Sequence, residues 1–488
     1  MALWSLDELF KTLNGAVGSQ SPPIGAGIRA FPRLGPGLLL NEYRILCFSN
    51  TNDLPEIRAL VPVDCLLEKI PSTPAPCKDT FTMLSNPFLE QAGFLPRGGA
   101  RLLVYQETPN LAALAQSKGW RLLANPHPIR TRWQNKVWFR RRLLEAGLQV
   151  ATWKQVELHE LTPKLYRKLR KAWGHKMVLQ IPDFPRGGGR ATFFISDEAE
   201  LYALQRKWQG GRYKGHVIKE VMISPWIQGP SLSMEGCVTQ GMVLCSPLQT
   251  QLLDLREVLP PGQYGRFCGH QWQSEPYFTE MKHSARAFVE WVGAVLRKEG
   301  YLGIFGLDFA LDERTGELFA LECNPRYTGA FPVLTLLQLA HGGLPLEAFH
   351  LMAWLNQRIQ VPEELMEQTA EDLPAASQIL LFQKENKPSV ISGNLMAGRY
   401  RWSDTRNAAL RVGPAVPLPP LPWNPKDFLI IDGPPTEGTQ LPPFEDLEPL
   451  VRVIFLRGVL GGGRSLNSVT ANVIQWIYAR MKLCERSQ

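Results

Sequence analysis

The carboxylates of Asp308 and Glu322, the amide of Asn324 and the guanidinium of Arg326 fall within one short stretch of this 488-residue chain, LGIFGLDFALDERTGELFALECNPR at residues 302–326. Apolar and polar residues alternate on either side of a turn at 312–317, the pattern of a β-hairpin with one buried face. On the first strand Phe305, Leu307, Phe309 and Leu311 share a face, which turns Asp308 to the other side beside Ile304, Gly306 and Ala310. On the second, Phe319, Leu321 and Cys323 share the apolar side, so Glu322 and Asn324 point away from it. With the turn centred near residues 314 and 315, antiparallel pairing sets Asp308 opposite residues 320–322. Asp308, Glu322 and Asn324 therefore converge. Such a face also occurs as the solvated side of an ordinary hairpin. As chemistry, it is a hard oxygen site suited to Mg²⁺, which keeps several waters and completes its octahedron with substrate phosphates. Arg326, two residues beyond Asn324, favours chemistry, because its planar fork can neutralise charge on a phosphoryl group in transfer.

The elements that must hold these residues are legible as an α/β pattern. Short apolar runs at 45–48, 102–105 and 122–124 alternate with a helical pattern at 111–118, which predicts a layer with a largely parallel sheet. Residues 1–40 read as an amphipathic helix followed by a Gly/Pro-rich loop, and residues 71–97 as a long irregular insertion. A helix is predicted from 133 to 145 with Gly147 at its C-cap. Strands at 177–181 and 191–195 flank a tip that contains Gly187, Gly188 and Gly189. A helix at 197–208 follows, then strands at 217–223, 231–238 and 242–246. Apolar residues over 277–299 recur in steps of three and four, drawing the stripe of a helix packed on a sheet. After about residue 360 the composition shifts: a proline-dense run at 414–425, strands at 428–431 and 451–455 and a closing helix read as a separate C-terminal unit. A chain of this length forms two to four packed units.

In order, these pieces resemble the ATP-grasp superfamily, in particular the branch with carbamoyl phosphate synthetase, biotin carboxylase-like enzymes and peptide-forming ligases. D-x(13)-E-x-N-P-R at 308–326 looks like its metal-binding end, with Asp308, Glu322 and Asn324 on the metal and Arg326 catalytic. RWQNKVWFRRRLLEAG at 132–147 is similar to the helix that opens the ATP-grasp domain, with Lys136 at the phosphate-binding position. KMVLQIPDFPRGGGRAT at 176–192 resembles the strand and glycine loop over the phosphates, which assigns Gln180, Gly187, Gly188, Gly189 and Arg190 to the nucleotide. VMISPWIQGPSLSM at 221–234 resembles the hinge that reads adenine, with Ile223, Ser224, Trp226 and Ile227 beside the base and Ser231 at the ribose. The resemblance covers roughly residues 44–355. It implies an ATP-grasp fold with an α+β lid at about 150–222, divided into an N-terminal extension (1–40), a Rossmann-like pre-ATP-grasp domain (41–130), the ATP-grasp domain (131–360) and a C-terminal domain (361–488). The implied activity is that of a ligase using ATP and Mg²⁺, or Mn²⁺ in its place. It would join a small carboxylate to an amine acceptor, an amino acid or peptide, through an acylphosphate, with release of ADP and phosphate. The glycine loop would be mobile alone and order over bound nucleotide, and the protein would be a homodimer. Two departures stand out: Gln180 replaces a usual Lys, and Ser231 a usual acid. They leave open a catalytically weak ATP-binding regulatory protein of the same fold.

Charge and composition narrow the remaining classes. With 53 Lys+Arg against 45 Asp+Glu the net charge is +8, which favours anionic partners. The basic runs at 126–142 and 161–177 read mostly as solvated faces, and the chain has no RRM, KH, zinc-finger or basic-zipper signature, so nucleic acid ranks below small anions. Eight cysteines without a CxxC read as buried thiols in a reducing compartment. Cys268-x-His270 lacks a second ligand pair for zinc. The GGGR at 461–464 lacks the GK[ST] of a P-loop and takes no role. Asp7 and Glu8 precede any cation and no long apolar run follows, so the expectation is a soluble cytoplasmic protein with no signal peptide and no membrane span.

Overall fold

A computed structural model describes residues 5–17, 21–70, 77, 79–96, 98–185, 187–272, 278–355, 363–385, 387–442, 449–462 and 465–485. Near the N-terminus five parallel strands lie in the order Val63–Cys65, Arg44–Cys47, Pro23–Gly27, Arg101–Leu103 and Arg121–Leu122. The middle strand falls where the sequence predicts a loop. Its sequence is PIGAG, and the glycine that mimics a loop signal serves packing: a Cβ on Gly25 would stand 1.7 Å from the Tyr43 hydroxyl, which donates to the Arg33 carbonyl at 2.9 Å. Within the expected irregular insertion, Thr80–Leu84 and Phe88–Gln91 form short helices.

The helix predicted over 133–145 is two helices, His127–Gln134 and Lys136–Glu145. Asn135 divides them: its backbone turns extended (φ −69°, ψ 115°) and its side chain accepts from the Trp138 N–H at 2.9 Å, capping the second helix. Lys136 thereby becomes the first residue of a new helix.

The lid is a four-stranded antiparallel sheet in the order Lys154–Glu157, Glu220–Pro225, Met177–Gln180, Thr192–Ile195. Two helices cover it, Pro163–Trp173 capped by Thr162 and Glu198–Lys207 capped by Asp197. The first buries Tyr166 and Leu169 and exposes Lys164, Arg167, Lys168, Arg170 and Lys171, the solvated basic face the sequence predicts. The strand predicted at 217–223 is interrupted, with His216–Val217 in a two-stranded ribbon and Glu220–Pro225 in the lid.

Below the lid runs one sheet of eleven strands. It starts at Glu317–Asn324 and Gly303–Asp312, continues through Ser231–Val238, Gln249–Leu253 and Phe267–Trp272, and passes into Ala376–Phe382, Pro449–Phe455, Asp427–Ile431, Gly398–Ser403 and Ala408–Gly413; Val243–Cys245 pairs on Ser231–Val238. The residues after 360, expected as a separate unit, thus extend the same sheet through the pairing of His270 with Gln378. Composition shifts with loop content and is blind to strand pairing. On the face of Ser231–Val238 the helix Phe278–Lys298 buries Met281, Ala285, Val289, Val292 and Leu296. No helix among the described residues is long and apolar enough to cross a membrane.

Candidate active site

The hairpin pairs as its alternation predicts at the functional end: Asp308 faces Glu322 and Gly306 faces Asn324. A bulge between Asp308 and Phe309 then sets Phe309 against Ala320 and Leu311 against Leu318. One extra residue reverses the facing of the rest of the strand. Leu318 and Ala320, not the expected Phe319 and Leu321, therefore join the buried core, and Leu321 turns into the cleft beside Glu322. Around the carboxylates the polar groups interlock. Asn324 Nδ2 donates to Asp308 Oδ2 at 2.9 Å and Gln251 Nε2 to Asp308 Oδ1 at 2.7 Å. Lys136 Nζ meets Glu322 Oε2 at 2.7 Å. Arg326 donates to Asn324 Oδ1 at 2.9 Å, to the Tyr105 hydroxyl at 2.6 Å and to the Tyr327 carbonyl at 2.9 Å. Burial, and then the charge of Glu322, push the Asp308 carboxyl up to about 7. The donor set of two carboxylates and one amide is hard and anionic, which fits a small divalent cation; the Asn324 oxygen is turned to Arg326, and a cation on Glu322 competes with Lys136.

Opposite stands the lid. Gly188 and Gly189 both have φ +74°, and a Cβ on Gly189 would lie 1.7 Å from the Gly265 carbonyl oxygen. The loop tip can seat on that turn only because the position is glycine. A Cβ on Gly187 would come within 3.0 Å of Arg326 Nη2, so the tip reaches the hairpin wall. Gln180 Nε2 donates to Thr192 Oγ1 at 3.1 Å, across its own sheet. Arg186 lies outside the described residues. In the hinge, Ile223 does not read a base: Lys154 and Leu179 pair with it on either edge, and its side chain is buried in the lid core. The Trp226 N–H is donated to the Lys176 carbonyl at 3.1 Å. The next hinge residue, Ile227, lines the cleft. Apart from Lys136 and Ile223, every residue that the resemblance assigns to the nucleotide, the metal or catalysis lines one cleft of about 1720 Å³ between lid, hairpin and parallel sheet.

The fold is shared with known structures. The biotin carboxylase domain of Hydrogenobacter thermophilus 2-oxoglutarate carboxylase, solved with MgADP and bicarbonate, aligns over 89% of this chain and 85% of its own with a TM-score of 0.57 at 12% identity. The chain has the ATP-grasp fold. Two further ATP-grasp structures match along nearly their whole lengths. N5-carboxyaminoimidazole synthase from Aspergillus clavatus, with ADP and 5-aminoimidazole ribonucleotide, covers 95% of this chain and 99% of its own (TM-score 0.52, 12% identity). Phosphoribosylamine–glycine ligase from Thermotoga maritima covers 94% and 96% (TM-score 0.52, 13% identity). No family model matches the sequence, and no curated protein matches it.

Several residues in or beside this cleft escape sequence reasoning. Lys176, immediately before the strand Met177–Gln180, lines the cleft with Val178 and Gln180, at the two-residue spacing of one strand face; its Nζ sits 4.0 Å from the centre of the Trp226 ring. Gln251 and Gln249 come from a strand whose polar side chains hide it from an apolar-pattern search. Glu235 is 1% exposed. Its Oε1 accepts from Thr328 Oγ1 at 2.8 Å and from Gln249 Nε2 at 3.1 Å, while Oε2 has no partner among the described residues. Burial pushes this carboxyl up to about 8. Tyr105 follows the strand Arg101–Leu103, and ligand-facing residues gather at the carboxyl ends of parallel strands. Beyond Arg326 the cleft turns cationic: Arg33 stacks 5.9 Å from the Tyr105 ring centre and 5.7 Å from that of Tyr327, and Arg452 pairs with Asp432 at 3.1 Å. Cys268 and His270 form no metal site: Cys268 packs in an apolar cluster, and His270 Nδ1 contacts Gln378 Nε2 at 2.8 Å, with burial pushing the imidazole down to about 3.

Proposed function

We propose that this chain is an ATP-dependent carboxylate–amine ligase. The observation that carries the reading is the convergence of Asp308, Glu322, Asn324 and Arg326 on the cleft wall that the glycine tip of the lid reaches. Bound nucleotides in structures of the same fold, MgADP and ADP among them, support it. Asp308 and Glu322 are the residues that would hold Mg²⁺, which supplies charge neutralisation at the phosphates. The N–H groups of the glycine tip bind phosphoryl oxygens, Lys136 joins them once a cation on Glu322 displaces it, and Ile227 offers a peptide edge to the base. A substrate carboxylate oriented by the cationic end at Arg33 attacks the γ-phosphorus; the bond from phosphorus to the β–γ bridging oxygen breaks and ADP departs. Arg326, anchored by Tyr105 and Asn324, donates to the equatorial oxygens as charge shifts during transfer. The amine nitrogen then attacks the acyl carbon, the carbon–oxygen bond to phosphate breaks, and the departing phosphate takes the proton that nitrogen loses. The lid excludes water, which would otherwise take the place of the amine.

A screen for phosphate release from MgATP against pooled carboxylates, each with and without amino acids and peptides as acceptors, tests the reading. Turnover that needs both a carboxylate and an amine is expected. Tight ATP binding with no turnover in any pool would favour a regulatory role, a reading to which the commitment of Gln180 to Thr192 gives some support.

A further inference from the structure

Two cations on the helix Lys136–Glu145 are treated differently by the fold. Lys136 has its carboxylate in Glu322. Arg140, one turn later, is 2% exposed and lines the same cleft, yet among the described residues neither its Nε nor its Nη1 has an acceptor. Burial alone pushes the guanidinium down, to about 10, with no acid close enough to act on it. A buried charge without a partner destabilises the fold that keeps it, and an apolar side chain of similar volume would be easier to bury. Buried donors of this kind call for a ligand or another explanation.

Its place along the cleft says which part of a ligand it meets. The helix begins over Glu322, at the phosphate end, and four residues carry it about 6 Å along its axis. The neighbouring Arg141 donates to Gln155 Oε1 at 2.5 Å, and Gln155 pairs with Met222 on the strand that leads into the hinge. Phe139 and Leu143, on either side of Arg140, join the cluster with Phe309, Leu311 and Leu318, next to Ala310, the partner of Ser231. Arg140 thus stands toward the hinge, away from Arg326, in apolar surroundings. Other donors at that end are engaged, Gln180 with Thr192 and Lys176 with the Trp226 ring. Apolar walls, a hinge peptide at Ile227 and a guanidinium at the cleft wall without an acceptor among the described residues match a heteroaromatic base with an acceptor nitrogen in its plane.

We infer that Arg140 is a specificity-determining residue of the nucleotide site, donating from its guanidinium to an acceptor nitrogen of the purine base. The inference rests on the nucleotide reading proposed above.

The full-length protein tests it with two measurements that do not depend on turnover: thermal unfolding without nucleotide, and calorimetric titration with ADP in the presence of Mg²⁺. Arg140→Met is expected to raise the unfolding temperature, since it removes an unpaired buried charge, and to weaken ADP about tenfold. Inorganic tripolyphosphate, which has no base, is expected to bind both forms equally. Against 1-, 3- and 7-deaza-ADP, the wild type should lose about tenfold with one analogue, and Arg140→Met should lose nothing with any. A wild-type protein that binds no ADP overturns the ligase reading and this inference with it. Wild-type ADP binding overturns this inference alone if it comes with an unchanged ADP affinity in Arg140→Met, a parallel loss of tripolyphosphate, or a lower unfolding temperature in the variant.

Discussion

The hairpin wall and the lid wall of the cleft are built on opposite terms. On the hairpin wall each charged group is already held by another: Asp308 by Asn324 and Gln251, Glu322 by Lys136, Arg326 by Asn324 and Tyr105. On the lid wall the working parts are glycines whose value is the absence of a side chain, with Gly189 seated against Gly265. The difference separates two jobs. Charges that must stay fixed while bonds change are pre-ordered by hydrogen bonds to rigid strands, whereas a cover that must seat over a ligand needs backbone that can approach closely.

The comparison breaks most visibly at Glu322. Glu322→Gln removes a carboxylate from the metal face while keeping its shape, and turnover should fall on the order of 10²–10³-fold with a much higher Mg²⁺ requirement. Phosphate release titrated with Mg²⁺ checks this, and an unchanged Mg²⁺ dependence would remove the residue from the metal site. Arg326→Lys should keep nucleotide affinity and lose roughly 10²-fold in phosphoryl transfer, because an ammonium on a flexible stem lacks the planar fork that is fixed by Asn324 and Tyr105 while it reaches a phosphoryl oxygen. Wild-type kcat in that variant would sink the role.

On the lid wall a smaller effect of another kind is expected. Gly189→Ala forces a Cβ toward the Gly265 carbonyl at a left-handed φ, costing about 1–3 kcal/mol locally. It should raise KM for ATP about tenfold with little change in kcat. Limited trypsin digestion reads the same event: cleavage after Arg190 should slow when a non-hydrolysable ATP analogue binds the wild type, and slow less in the variant. Equal rates for wild type with and without bound analogue would reduce the tip to a surface turn.

Glu347 supplies a control outside both walls. It is buried, accepts from Thr335 Oγ1 at 2.8 Å, and is pushed up to about 7, chiefly by burial. The native state thus keeps a proton that the unfolded chain releases near pH 4.5. Its contribution is full below that pH and is lost as pH rises toward 7. Glu347→Gln should therefore become more stable relative to wild type between pH 5 and 8, by roughly 1–3 kcal/mol, while KM and kcat hold. Denaturant melts at the two pH values test the sign; a constant difference would show that the residue does not titrate there.

What the sequence disclosed follows from what periodicity can carry. Alternation at 303–312 and 317–324 predicts the meeting of Asp308 with Glu322, and the structure pairs them. The bulge at Leu321 leaves no mark, since residue types do not announce one extra residue in a strand. Pro23–Gly27 is too rich in glycine to read as a strand, although Gly25 is there to admit Tyr43. The strands Gln249–Leu253 and Phe267–Trp272 turn Gln251 and His270 into the cleft, so the polarity that suits them to a site conceals them as strands. Arg140 stood in a basic run that reads as solvated; the run does not show which of its members points inward.

The unbroken central sheet constrains where this chain can be cut. The hairpin with Asp308, Glu322 and Arg326 stops before residue 360, but a chain ended there would leave Phe267–Trp272, six residues long, as a bare edge where Ala376–Phe382 now pairs. Unclaimed N–H and C=O groups on such an edge recruit other chains. The C-terminal strands thus act as a selvedge on the woven edge of the half that carries Asp308 to Arg326, keeping it from fraying into aggregates. Amide exchange in Ala376–Phe382 should accordingly rise and fall with that of Phe267–Trp272, as within one cooperative opening unit.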